Sequence, residues 1–280
     1  MKEADTERLP DYHVKARNTS STSENKIHDD EIARKFGFRG ALVPGVTVYA
    51  YLTHPLVEAF GAAWLERGTA SVRFTKPIHD GEEVRVTGTV TARDAKNIAL
   101  AVTASTAAGG ECATLTATLP AGSPVPLNLA QYRAAPLPAD RPVATRAHLA
   151  SLDALGTPIN PYDDERAAEV VDRFSDGLAL YRGARGWMHP AFILDQSNKA
   201  LSLNVRLSPW IHVGSIVRHL GGARIGDTLA TRGRIRSLFE KKDRQFVEAD
   251  LAVVVETGGR PRLVAHVLHT AIYCLASPAR

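Results

Sequence analysis

Residues 23–45, SENKIHDDEIARKFGFRGALVPG, decide the fold prediction. The stretch places His28 in a polar segment, Gly37 between two aromatic residues, and Pro44-Gly45 before an apolar run. We predict a buried helix over about residues 45–60, because proline and glycine at its start are followed by fifteen mostly apolar residues. A helix N-terminus and a titratable imidazole close together can stabilise negative charge and transfer protons at one point.

The composition is that of a globular protein. The chain has 280 residues, 44% of them hydrophobic and 23% charged, with a net charge of +4. This length suits two modest domains or one large one. The small positive charge permits an anionic ligand, whereas no Lys/Arg run with interleaved aromatic residues indicates nucleic-acid binding.

Three features predict a cytoplasmic location. Two cysteines are too few for a disulfide framework. The charged start, Met1 to Asp5, lacks the apolar core of a signal peptide. The apolar run of residues 41–63 is broken by prolines, glycines, His54 and Glu58, so we expect a buried helix and no membrane association.

A proline-rich segment divides the chain. We predict an N-terminal half over residues 1–120, a linker over 121–143 and a C-terminal half over 144–280. Similar residues recur in the two halves at one spacing, 145 residues: Val72 and Val217, Gly81 and Gly226, Gly88 and Gly233. A constant spacing over several elements predicts an internal duplication.

Each half shows the same order of elements. A polar loop precedes an apolar helix, over about residues 45–60 and 190–204, and four strand-like runs follow. The predicted strands of the first half are residues 69–75, 83–91, 98–105 and 112–119, and those of the second are 215–220, 228–237, 245–256 and 263–273. A helix followed by an antiparallel meander predicts an α+β fold of the hotdog type, here in tandem as a double hotdog. Pairing the two sheets edge to edge would cover two exposed edge strands.

The loop before the first helix resembles the motif of the MaoC-like, (R)-specific enoyl-CoA hydratases. That motif has the form Gly-Asp-x-Asn-Pro-x-His-x-Asp, then Ala-x-x-x-Gly-Phe, then Ala-His-Gly at the start of the central helix. The residues of this chain that fall on it are Asn25, His28, Asp30, Ala33, Gly37, Phe38 and Gly45. The resemblance covers about residues 18–90 well and the second half more loosely. It implies the hotdog fold, an acyl-CoA or acyl-carrier thioester ligand, and His28 as a catalytic residue.

Other motif positions differ. The aspartate five residues before the histidine is Ser23, with Glu24 beside it; the proline is Lys26, and the helix-opening histidine is Pro44. In the second half Asp176 precedes Tyr181 by five residues, and the repeat spacing places His189 opposite Pro44.

We therefore predict reversible hydration of an enoyl-CoA. His28 would act as acid and base, Asn25 would orient the water or the substrate, and Ser23 or Glu24 would replace the aspartate. The Gly45 N–H would hold the thioester oxygen. Further candidates for substrate contact are Asp30, Asp176, His189 and Arg73, although helix capping explains Asp30 and a structural role explains His189 and Arg73 equally well.

Two alternatives stay open. A hotdog thioesterase would use Glu24 or Asp29 to activate water at the thioester carbon. A non-catalytic acyl-binding or partner subunit would explain why neither half has a complete motif, and a homodimer or a hetero-oligomer would then bring in a second chain. We predict no cofactor. We also predict no metal site, because His266 and His269 lie three apart on a predicted strand and so face opposite sides.

Overall fold

The computed structural model describes residues 7–207, 209–256 and 260–275. The helices are α1 (Asp30–Lys35), α2 (Gly45–Phe60), α3 (Ala62–Arg67), α4 (Arg146–Ala150), α5 (Asp164–Phe174) and α6 (Pro190–Ser202). The strands are β1 (Tyr12–Lys15), β2 (Thr69–Phe74), β3 (Glu83–Arg93), β4 (Asn97–Thr106), β5 (Gly110–Pro120), β6 (Ile159–Tyr162), β7 (Ile211–His219), β8 (Asp227–Lys241), β9 (Arg244–Val255) and β10 (Arg262–Cys274). The segment from Met1 to Asp5, on which the prediction of no signal peptide rests, lies outside the described residues.

Each half is one long helix against a curved antiparallel sheet. Helix α2 is buried without a break from Val46 to Val57, and α6 is buried over most of its length. Helix α2 can be apolar on nearly every face because sheet and helix enclose it, whereas α6 carries a polar run from Asp195 to Lys199. Among the described residues no helix is both long and apolar enough to cross a membrane.

The two sheets join into one sheet of ten antiparallel strands, in the order β1-β3-β4-β5-β2-β7-β10-β9-β8-β6. The junction is the pair β2 and β7, in which Ser71 lies directly opposite Ile216. These two residues are 145 apart in sequence, so a local twofold axis passes through this pair. The double hotdog predicted from the sequence is therefore present, with its two sheets paired edge to edge.

The duplication is visible in individual contacts. Val43 N donates to Ile78 O, and Met188 N donates to Ala223 O, each at 2.8 Å. The bridge between Leu42 and His79 likewise recurs between Trp187 and Arg224. Each of the four residues from the second half lies 145 positions after its counterpart in the first half. The repeat spacing is therefore confirmed at the level of backbone hydrogen bonds.

The segment between the halves packs on the second sheet. Strand β5 ends at Pro120 and α4 begins at Arg146. Between them, Tyr132 is buried and its hydroxyl donates to Asp250 at 2.7 Å. This segment is therefore anchored to the C-terminal half and covers part of its sheet.

The sequence did not predict the outermost strands or the short helices. Strands β1 and β6 have four residues each, too few for a hydrophobic alternation to stand out. Helix α5 is amphipathic and lies just before the loop that carries Asp176.

A buried histidine should make stability depend on pH. His219 on β7 is 1% exposed and packs edge-on against Trp64, with ring centroids 4.8 Å apart. Neither ring nitrogen has a hydrogen-bond partner within the described part of the chain. Burial lowers the pKa of His219 to about 4. Since unfolded histidine titrates near pH 6.5, the unfolded chain binds a proton below that pH that the folded chain excludes.

We expect His219→Leu to weaken the acid-induced loss of stability. Between pH 6.5 and 4.5 the free energy of unfolding should fall less steeply than in the wild type, by about 1 kcal/mol per pH unit. Urea denaturation at several pH values measures this. His13→Leu, an exposed change on β1, should keep the wild-type slope; an unchanged slope in His219→Leu would contradict the prediction.

Candidate active site at the junction of the two halves

A cavity of about 420 Å³ lies where the two halves meet. One wall comes from the 23–28 segment, the start of α2 and the end of β2, and the other comes from α5, α6 and the segment that leads into β7. The first half contributes His28 and Gly45 to the wall, and the second contributes Arg173, Asp195 and His212.

A hydrogen bond to the backbone holds His28 in one tautomer. It ends a 3-10 turn (Lys26–His28), and its Nδ1 lies 2.7 Å from Leu42 O. A carbonyl can only accept, so Nδ1 carries the hydrogen and the neutral ring keeps its lone pair on Nε2. Burial first, and then the charge of Arg173, lowers the pKa of His28. The ring is therefore neutral at pH 7 and can accept a proton through Nε2.

Asn25 connects His28 to the second half. Its Nδ2 donates to Trp210 O at 3.0 Å, and Trp210 N donates to its Oδ1 at 3.1 Å. These two bonds fix which end of the amide is which, and they leave Nδ2 3.4 Å from His28 Nε2. Asn25 thus presents a donor beside the imidazole lone pair.

Ser23 and Glu24 line the cavity, but their side chains are hydrogen-bonded to groups other than His28. Ser23 Oγ donates to Asn25 O at 3.3 Å. The Glu24 carboxylate is exposed and receives two hydrogen bonds from Arg141, at 2.8 and 2.9 Å, which hold its pKa below the usual value. Arg141 also donates to Ser202 O, so the Glu24 contact ties the site loop to the inter-half segment and to α6.

The aspartates after His28 organise the loop. Asp29 caps α1 by accepting from Ile32 N at 3.0 Å. Asp30 accepts from Ala41 N at 2.7 Å and pairs with Arg34. Neither lines the cavity. Arg73, the other candidate from the first half, is exposed on β2 and also lies outside the cavity wall.

Gly45 opens the N-terminus of α2 to the cavity. As the first residue of the helix, it has no carbonyl one turn earlier to accept from its N–H, and the same holds for Val46. A Cβ at Gly45 would lie 3.0 Å from His212 Nδ1 and 3.1 Å from Phe74 Cε2. Only glycine allows the second half to approach the helix terminus this closely.

Three charged residues of the second half were not predicted for this site. Asp195 pairs with Arg173 at 3.3 Å, and both side chains are largely buried. Lys199, one turn further along α6, donates to Asn160 Oδ1 at 3.1 Å, and burial lowers its pKa. A lone acid after the apolar stretch Pro190–Leu194 was the available signal for Asp195, since a carboxylate on a buried helix needs a partner.

The corresponding end of α6 is closed. Proline at position 190 has no N–H, and the next N–H, from Ala191, donates to His189 Nδ1 at 3.1 Å. His189 Nε2 therefore carries the hydrogen and donates to Asp176 Oδ2 at 3.1 Å. His54 Nδ1, from α2, lies 3.0 Å from the other carboxylate oxygen, with the Tyr12 ring stacked on it at 3.8 Å.

Asp176 and His189 thus form a buried cluster with His54, away from the cavity. Burial alone would raise the pKa of Asp176, but the contacts with His189 and His54 outweigh burial and hold that pKa below its usual value. Since His54 belongs to the first half and the other two residues to the second, the cluster joins the halves.

No protein-family model matches this sequence, and no curated protein does either. Solved structures do match over nearly the whole chain. A protein described as a MaoC domain dehydratase from Chloroflexus aurantiacus J-10-fl is 11% identical, with a TM-score of 0.65, and the match covers 99% of this chain and 96% of that one. A double hotdog protein of Mycobacterium tuberculosis is 14% identical, with a TM-score of 0.59 and coverage of 94% and 96%.

A third match is a protein described as an oleoyl thioesterase from Lactobacillus plantarum, 13% identical, with a TM-score of 0.54 and coverage of 97% and 98%. The double hotdog fold is confirmed. The resemblance to MaoC-like proteins predicted from the sequence is likewise confirmed at the level of the fold. Proteins with this fold are described in some cases as dehydratases and in others as thioesterases, so the fold alone does not distinguish between these activities.

The Asp176 cluster makes a stability prediction. We expect Asp176→Asn to lower the free energy of unfolding by about 3 kcal/mol, because it removes the charge that two buried histidines contact. Asp172→Asn is the matched control. The Asp172 side chain is 77% exposed and forms a surface ion pair with Arg17 at 3.5 Å, so this substitution should lower the free energy of unfolding by less than about 1 kcal/mol. Chemical denaturation measures both, and equal effects would contradict the assignment.

Proposed function

We propose that the cavity binds an acyl thioester and catalyses the reversible hydration of an enoyl thioester. The observation that carries the proposal is the pairing of a neutral histidine, with its lone pair on Nε2, and an open helix N-terminus in one cavity. The reaction needs a base for water and a donor for the oxygen that becomes negative.

The proposed steps follow from this geometry. His28 Nε2 takes a proton from water as the water oxygen bonds to C3 of the enoyl group. The electron pair of the double bond moves toward the carbonyl, and the thioester oxygen becomes an enolate beside the Gly45 N–H. His28 then returns its proton to C2, which gives the 3-hydroxyacyl thioester. Asn25 Nδ2, next to Nε2, orients the attacking water.

The charges of the cavity wall suit an anionic ligand. Four cationic side chains line it, Lys76, Arg173, Lys199 and Arg244, against two carboxylates, Glu24 and Asp195. The excess positive charge favours a ligand that carries phosphate groups, such as an acyl-CoA or an acyl-carrier thioester. The apolar remainder of the wall includes Val46, Val48 and Ile78, which favour an acyl chain.

One observation favours a thioesterase as the second candidate. Asp195 places a carboxylate in the cavity wall on the opposite side from the 23–28 segment, where it could activate water toward the thioester carbonyl. The carboxylates predicted from the sequence for this activity, Glu24 and Asp29, are bonded to Arg141 and to the α1 backbone. Asp195 is also paired, with Arg173 at 3.3 Å, but its side chain is largely buried in the cavity wall, so it is the carboxylate that we assign to a thioesterase.

Crotonyl-CoA distinguishes the candidates. Loss of enoyl absorbance without free thiol supports hydration, thiol release supports a thioesterase, and binding without either supports a non-catalytic subunit. We expect His28→Gln to lower kcat/KM for hydration by about 10²–10⁴-fold, because general acid–base catalysis contributes that much.

His79→Gln is the control for His28→Gln. The Nδ1 of His79 also bonds a carbonyl, Ala41 O at 3.0 Å, but its side chain lies outside the cavity wall. It should keep the wild-type rate. A hydration rate unaffected by His28→Gln would overturn the assignment of His28.

The pH profile gives a further prediction. Since the pKa of His28 lies below 6.5, the ring stays unprotonated at neutral pH and loses its lone pair only as the pH falls through that lower pKa. The wild-type kcat/KM should therefore be level through neutral pH and decline on the acid side below pH 6.5. A decline that begins above pH 7 would contradict it.

A further inference from the structure

Beneath the start of α2 lies a chain of three buried polar side chains from the second half. His212 Nε2 is 2.9 Å from Ser215 Oγ on β7, and the same oxygen is 3.0 Å from His269 Nδ1 on β10. His212, Ser215 and His269 are 7%, 4% and 0% exposed. The His212 ring is held between Phe74 and His269, with ring centroids at 4.9 and 4.3 Å.

One nitrogen of this chain lies beside the N-terminus of α2. His212 lines the cavity wall, and its buried Nδ1 has no hydrogen-bond partner among the described residues. This atom lies 3.0 Å from the point where a Cβ on Gly45 would be. The open helix N-terminus and the free ring nitrogen are thus next to each other.

The hydroxyl between the rings limits where the protons lie. Ser215 has one proton, so it donates to one ring and accepts from the other. If it donates to His212 Nε2, then His212 carries its hydrogen on Nδ1, at the cavity, and His269 keeps a bare nitrogen in the core. Each arrangement leaves one N–H without a well-aligned acceptor. In the reverse arrangement it is an N–H of His269 in the core, where orphaned donors are rare, whereas in the first it is an N–H of His212, which borders the cavity and the Gly214 backbone.

Neighbouring charges do not protonate these rings. Burial lowers the pKa of His212 well below its usual value and that of His269 to about 3. Asp195 opposes the shift at His269, but its carboxylate pairs with Arg173. Both imidazoles are therefore neutral, and each carries one hydrogen.

We propose that His212 Nδ1–H is a second donor to the thioester oxygen, beside the Gly45 N–H, and that Ser215 and His269 are positioning residues which hold the hydrogen on that nitrogen. The inference rests on the proposed acyl-thioester function of the cavity. A ligand oxygen at this point would accept from two donors for which the described part of the chain supplies no well-aligned acceptor. Two preorganised donors at one oxygen stabilise an enolate more than one donor does.

Two substitutions of His212 separate a donor from a structural role. The amide of asparagine reaches the position of Nδ1, whereas that of glutamine reaches the position of Nε2. His212→Asn therefore keeps a donor at the cavity and loses the Ser215 bond, and His212→Gln does the reverse. We expect His212→Gln to lower kcat with crotonyl-CoA about 10²–10³-fold and His212→Asn to stay within about tenfold of the wild type.

A purely structural role for His212 predicts the opposite order. His219→Gln places the same amide at another buried position of β7, outside the cavity wall, and should leave kcat unchanged. Equal rates for His212→Gln and His212→Asn would overturn the proposal.

A second measurement does not depend on hydration. Infrared difference spectra of butyryl-CoA labelled with ¹³C at the carbonyl report the hydrogen bonds to the thioester oxygen, and this ligand has no double bond to hydrate. The carbonyl stretch should lie at lower frequency in the wild type and His212→Asn than in His212→Gln. If the wild type shows this shift but does not hydrate crotonyl-CoA, the hydratase function fails and the donor role stands.

Ser215→Ala is the alternative if His212→Gln does not fold. It frees His212 to place its hydrogen on either nitrogen, so the carbonyl stretch should move part of the way toward the unbonded frequency. An unchanged stretch in Ser215→Ala, or no binding of butyryl-CoA to the wild type, would overturn the proposal.

Discussion

The backbone pairing of β2 with β7 is the constraint on which the rest of the structure depends. It places Ser71 opposite Ile216 on a local twofold axis and so brings the N-terminus of α2 against the segment that enters β7. Asn25 then bonds both backbone groups of Trp210, which ties the loop that carries His28 to the other half. Because one wall of the cavity comes from each half, a shift in this strand register would separate the base from the residues that face it. The candidate site is therefore a property of the joined sheet, and neither half contains it alone.

The duplicated framework supports two different helix termini. At α2, Gly45 leaves free N–H groups that face a cavity, and at α6, Pro190 and the His189 cap remove them. At the corresponding end of α6, His189 belongs to a buried cluster around Asp176, which receives contacts from both halves. A buried carboxylate without partners would be strongly destabilising, so the cluster is stable only while the two halves stay joined. One end of the pseudosymmetric molecule thus suits ligand binding, and the other contributes to the cohesion of the halves.

The sequence predicts the parts of this structure that depend on local pattern. Alternation and turn residues locate eight of the strands, Pro44-Gly45 marks the first residue of α2, and the 145-residue spacing gives the pairing of equivalent elements. The motif around His28 also identifies Asn25 and Gly45 as neighbours of the cavity. Apart from Asp195, the residues from the other wall follow from no local signal, because His212 and Arg173 reach the cavity that His28 lines only after the two sheets pair. Glu24 shows the same limit: its carboxylate lies next to the motif in sequence, yet Arg141 from the inter-half segment engages it.

The position of Ser23 changes what the rest of the cavity has to supply. A carboxylate near His28 would raise the basicity of the ring, whereas here a hydroxyl bonds the backbone and the charge of Arg173 adds to burial in lowering the pKa. A less basic imidazole removes a proton from water less readily, so more of the barrier must be lowered where negative charge develops. The groups placed to stabilise this charge would act at the thioester end of the substrate. They are the N–H groups at the start of α2, the ring nitrogen of His212 and the cations of α5 and α6. Under the proposed function, electrostatic stabilisation of the thioester oxygen by both halves would therefore contribute more to catalysis than an acid–base pair in one loop.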